Sequence, residues 1–86
     1  MKADQLIDQR IQQLGARIKS YRLAQGYTNA EKFAYEHGIS RSQYSQYELG
    51  KDLRFSSLIK LTQAFGITLE EFFSEGFNDH YPLTKQ

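Results

Sequence analysis

The chain predicts an all-α domain of five helices, and three observations carry that prediction. Apolar residues recur at steps of three and four, with no stretch of strict alternation long enough for a half-buried strand. Gly15, Gly26, Gly38, Gly50, Gly66 and Gly76 punctuate the chain every ten to sixteen residues, which suits short helices that end near a left-handed glycine. Thr28-Asn29-Ala30-Glu31, Ser40-Arg41-Ser42-Gln43 and Thr68-Leu69-Glu70-Glu71 each fit a capping box, in which a hydroxyl and an acidic or amide side chain satisfy each other's orphan amides. The last two also carry a hydrophobic staple, Ile39 with Tyr44 and Ile67 with Phe72.

Ile7, Ile11, Leu14, Ile18 and Tyr21 advance by four, three, four and three, predicting a first helix over roughly 4–25 with Asp4 as its N-cap. Gly15 lies inside it at a cost of about 1 kcal/mol relative to Ala, so the segment reads either as one helix or as a short helix joined to a longer one. A second helix follows over about 29–37 with Phe33 and Ala34 inward, and a third over about 41–49 with Tyr44 and Tyr47 inward. Leu58, Leu61 and Phe65 define a fourth near 56–65, and Leu69, Phe72 and Phe73 a fifth near 69–75.

Eighty-six residues suffice for one small domain, and with no cysteine its core alone must hold it together. No apolar run approaches the ~18 residues of a membrane span, and residues 1–14 lack the basic start and apolar stretch of a secretory signal. The expected location is therefore cytoplasmic, with no membrane contact. The net charge is only +1, but it is unevenly spread. Residues 15–60 hold eight Lys/Arg against four acids, while residues 61–86 hold one Lys against four acids. Such polarity would orient the molecule on a polyanion.

His37-Gly38-Ile39-Ser40 is too short to let the second and third helices lie antiparallel, and its glycine stands where the chain must turn sharply. That is helix-turn-helix geometry. At 100° per residue, Ser42, Ser45, Gln46 and Leu49 fall opposite Tyr44 and Tyr47, with Arg41 free at the first turn. This face carries amide, hydroxyl and guanidinium groups and no acid but Glu48 at its end. Gln can bond adenine bidentately, Arg guanine, and Ser several base edges, so Arg41, Ser42, Ser45 and Gln46 are the candidate base readers.

From Leu14 to Phe73 the residues resemble the phage-repressor (Cro/cI-type, XRE-like) helix-turn-helix family. The resemblance rests on Leu14-Gly15, Ile18, Arg22, Gly26, Thr28, Phe33-Ala34, Gly38-Ile39-Ser40, Arg41-Ser42, Glu48 and Gly50, then Leu58, Leu61, Gly66-Ile67 and Leu69. It implies a compact five-helix lambda-repressor-like domain that binds specific double-stranded DNA, usually as a dimer, in transcriptional control. It also implies an ion pair between Arg22 and Glu48. The family commonly has Gln at the first position of its second helix, where it bonds a phosphate and braces the recognition helix; Asn29 stands there, one methylene shorter. Tyr44 and Tyr47 replace the usual aliphatic residues, so two phenol hydroxyls need partners or water.

On this reading residues 1–13 form an N-terminal helical extension, 14–75 the helix-turn-helix domain and 76–86 a tail with Phe77, Tyr81 and Leu83 apolar enough to dock. The extension and tail are the expected homodimer surface. Thr28, Asn29, Lys32, Gln43, Lys51 and Arg54 rim the reading helix as candidate phosphate ligands. His37 and His80 are the only histidines, at no metal-ligand spacing, and no nucleophile motif or phosphate-cradling glycine loop occurs, so neither an enzyme, a metal nor a cofactor is expected. The alternative is a protein-binding module that reuses the fold, such as an antitoxin or an anti-repressor partner.

Overall fold

The computed structural model describes residues 3–77, which form α1 (Ala3–Ala24), α2 (Ala30–Glu36), α3 (Arg41–Glu48), α4 (Phe55–Phe65) and α5 (Leu69–Phe72), with no strand among them. α3 packs on both α1 and α2, and α4 on α1 and α5. The core gathers Ile18 from α1, Phe33 and Ala34 from α2, Tyr44 from α3, Leu58, Leu61 and Phe65 from α4, and Phe72 from α5. It is built largely of rings: Phe33 lies 5.1 Å from Tyr44 and 5.4 Å from Phe65, and Tyr21 stacks on Phe65 and Phe72 at 5.4 and 5.6 Å. Each fully buried Phe contributes roughly 1.5–3 kcal/mol, which is how so short a chain holds together without disulfides.

α1 runs unbroken through Gly15, so the described part of the N-terminal extension is the first half of one helix rather than a separate piece. A Cβ on Gly15 would lie 2.5 Å from the Tyr47 carbonyl oxygen and 2.9 Å from that of Glu48. The glycine is the notch into which the C-terminal end of α3 seats, and that close approach offsets its intrinsic helix cost. Asp4, expected as the N-cap, is already inside the first turn, where its charge favours the positive end of the helix.

α2 begins one residue later than the capping-box reading requires. Asn29, extended at φ −109° and ψ 116°, is the N-cap, and its Oδ1 accepts from the Lys32 amide at 3.0 Å. Asn caps at least as well as Thr, so Asn29 wins the position and the Thr28–Glu31 box does not form. Ala30 is therefore the first helical residue, and Asn29 stands one position earlier, at the cap, with its Oδ1 engaged by the Lys32 amide. In the second box only the Ser40 half is seen, its hydroxyl accepting from the Gln43 amide at 3.4 Å. The third forms in full between Thr68 and Glu71.

α5 is a single turn, shorter than expected, because Phe72 enters the core while Phe73 ends the helix and stays partly exposed against Phe77. Arg17 closes this end, its Nε donating to the Phe72 carbonyl at 2.7 Å and Nη2 to that of Glu71 at 3.3 Å. The Gln13 amide donates to the Gly76 carbonyl and ties α1 to the start of the tail. Tyr81 and Leu83 lie outside the described residues.

Candidate nucleic-acid interface

The turn between α2 and α3 is held at both ends. The Gly38 amide donates to the Tyr35 carbonyl at 3.2 Å and the Ile39 amide to that of Ala34 at 2.8 Å, a closure that puts Gly38 at φ 67°, where side-chain-bearing residues are strained. Ile39 packs against the core, Ser40 caps α3, and Lys60 on α4 reaches across to donate to the Gly38 carbonyl at 3.1 Å. The same pair of bonds ends α3, from the Gly50 amide to Tyr47 and from the Lys51 amide to Gln46, at 3.2 and 3.0 Å. Lys51 thus starts its loop directly beyond α3.

The inward side of α3 is anchored by Tyr44, which is fully buried, and by Tyr47, whose hydroxyl donates to Ser57 Oγ at 3.5 Å. Glu48 points inward as well. Arg22 Nε and Nη2 donate to its two carboxylate oxygens at 2.7 and 3.0 Å, and Nη1 donates to the Tyr27 carbonyl at 2.7 Å. The bidentate bonds to Glu48 raise the Arg22 guanidinium above its ordinary pKa, although burial opposes this. The Tyr44 hydroxyl is buried with no hydrogen-bond partner; burial first, and the nearby Glu48 carboxylate second, push its phenol well above the ordinary range.

With these residues turned in, Arg41, Ser42, Gln43, Ser45, Gln46 and Leu49 form the exposed side of α3. On that side the candidate base readers divide between two hollows. Arg41, Ser42 and Ser45 line an open cleft of about 700 Å³ together with Ser40 and, from α2, Ala30 and Glu31. Gln46 lies in a second hollow with Gln43, Lys51, Asp52 and Arg54. Thr28, Asn29 and Lys32 line a third, where the Tyr27 hydroxyl donates to Glu36 at 2.6 Å.

Several groups escape sequence reasoning. Glu31 shares a cleft with Arg41, Ser42 and Ser45, and Asp52 a hollow with Gln43 and Gln46, because separate segments meet there. The N-terminus of α4 has no side-chain cap, with Arg54 at the cap position, so its first amides lack a side-chain acceptor; at α2 the Asn29 side chain supplies one. Conversely Arg17, Arg22 and Lys60, counted in the basic middle of the chain, bond groups of the fold itself: Arg22 a buried carboxylate, Arg17 and the exposed Lys60 backbone carbonyls.

Among the described residues no group of three His, Cys, Asp or Glu could hold a metal ion, and no helix is long and apolar enough to cross a membrane. Comparison with curated proteins and with solved structures returned no match. The helix-turn-helix family model matches residues 18–72, which spans α1 from its buried Ile18 to the last residue of α5 and includes the whole α2–turn–α3 unit. With that match covering more than half of the chain, the protein belongs to the Cro/cI-like (XRE) helix-turn-helix family of DNA-binding transcriptional regulators, which is not a family of enzymes.

Proposed function

We propose that the protein binds specific duplex DNA by laying α3 in the major groove. Arg41, Ser42, Ser45 and Gln46 read base edges, while Thr28, Asn29, Lys32, Gln43, Lys51 and Arg54 contact phosphates, joined by the uncapped end of α4. The observation that carries this reading is the outward face of α3: it presents Arg, Ser and Gln side chains and no carboxylate, because the helix's one acid is drawn inward by Arg22.

The protein acts as a homodimer, since one reading helix per domain makes a two-fold complex the simplest way to double the contact, with half-sites ~34 Å apart. An apolar groove along the N-terminal half of α1, lined by Leu6, Ile7, Ile11, Leu14, Phe73 and Phe77, supports the extension and tail as that interface. Sedimentation of the full chain against a version starting at Gln13 tests it: dimer and monomer respectively are expected, and two monomers, with and without DNA, refute it.

A mobility shift on random duplex over a salt series tests the function. A DNA reader shows affinity that falls steeply as salt rises. Absent or salt-independent binding would point instead to a protein-only adaptor, such as an antitoxin or anti-repressor partner.

A further inference from the structure

Each of the three hollows is lined by cations and by one carboxylate: Arg41 and Glu31, Lys32 and Glu36, and Lys51 and Arg54 with Asp52. Four cations against three acids leave the surface that must meet a polyanion with a single net positive charge. The three acids are not equivalent. Glu36 is engaged by the Tyr27 hydroxyl, and Asp52 also borders the apolar groove on α1. Glu31 is exposed, accepts no hydrogen bond and joins no ion pair among the described residues, and shares its cleft with three of the four proposed base readers. In sequence it lies between Asn29 and Lys32, so its carboxylate stands among proposed phosphate ligands.

Resting on the DNA-reading function proposed above, we infer that Glu31 is an affinity-limiting residue of the DNA interface. Its carboxylate repels the phosphates that pass the mouth of the Arg41 cleft and weakens binding to duplex of every sequence. Backbone attraction is largely independent of sequence, so such a group keeps the chain from lodging on random DNA. Because the interaction is a charge repulsion in an exposed cleft, it is strongest at low salt and fades as the screening length shrinks.

The test uses the full chain and two duplexes, one random and one obtained by selection with the wild type. Glu31→Gln tightens binding to both by about three- to fivefold at low salt, the factor that one unit charge a few ångström away is worth in water, and the gain shrinks as salt is raised. Glu31→Asp retains the wild-type affinity. Glu70→Gln, which removes an exposed first-turn acid from α5, leaves binding unchanged and so controls for the helix-terminus role that Glu31 also has. Unchanged affinity in Glu31→Gln overturns the inference while the function stands. Weaker binding, or a changed preferred sequence at constant random affinity, overturns it too, by making the carboxylate a base ligand. A wild type that binds neither duplex takes down both the inference and the function beneath it.

Discussion

Replacing Arg22 by methionine should be among the most damaging single changes to this fold. The two side chains of the Arg22–Glu48 pair are only 5% and 9% exposed. The guanidinium satisfies both carboxylate oxygens and the Tyr27 carbonyl, so its loss strands a charge and a backbone acceptor in the space between α1 and the end of α3. Stranding one member of a buried pair costs about 3–5 kcal/mol, although the intact pair contributes little net stability. A domain of this size has roughly 4–13 kcal/mol in total. At about 4–8 °C per kcal/mol, the melting temperature at neutral pH should fall by roughly 12 °C or more. Lys19→Met, on an exposed position of the same helix, should stay within about 0.5 kcal/mol of wild type. Arg22→Met/Glu48→Leu should recover much of the loss, because it removes both charges together. Thermal unfolding followed by circular dichroism measures all three. Equal melting temperatures for Arg22→Met and Lys19→Met would refute the reasoning.

Three further outcomes are expected. Gly15→Ala, which in an open helix would stabilise by about 1 kcal/mol, should here destabilise by about 1–3 kcal/mol, because its methyl meets the Tyr47 and Glu48 carbonyls; chemical denaturation gives the sign, and a gain in stability contradicts the notch. Tyr44 has a phenol whose pKa is raised in the folded state, so its contribution is intact below the unfolded value near 10 and is lost above it, at about 1.4 kcal/mol per pH unit. Tyr44→Phe, which deletes a hydroxyl without a partner, should be neutral or stabilising at pH 7 and should flatten that alkaline decline; an unchanged slope sinks the assignment. Lys51→Ala and Arg54→Ala should each weaken specific and random duplex alike and reduce the salt slope by about one unit, whereas a loss confined to one sequence would make them base readers.

The residues differ in how much of this they announce. α4 is legible because its core contacts, Leu58, Leu61 and Phe65, repeat at helical spacing on one strongly apolar face. The α2–α3 turn is legible because glycine and an N-cap serine are local chemistry, read without knowing what lies across the fold. Adjacent caps defeat local reasoning: Thr28 and Asn29 both suit the position, and only the backbone at 29 decides between them. Gly15 reads as a weakness of α1 until α3 is set against it. The same holds for the surface. The outward face of α3 follows from period alone, but the company of Glu31 and Arg41 and the bonds that Arg17 and Lys60 make to backbone carbonyls arise where distant segments meet.

The central claim, that the outward face of α3 reads sequence, is tested most directly by selecting bound duplexes from a random pool with the wild type and with Gln46→Ala. The account predicts a defined preferred site for the wild type. For Gln46→Ala it predicts relaxed preference at one or two base pairs per half-site, a loss of ~1–3 kcal/mol against that site and nearly unchanged binding to random DNA, since no charge is removed. A Gln46→Ala protein that recovers the full wild-type preference would contradict the account and move recognition to the Lys51–Arg54 loop or to the shape of the DNA.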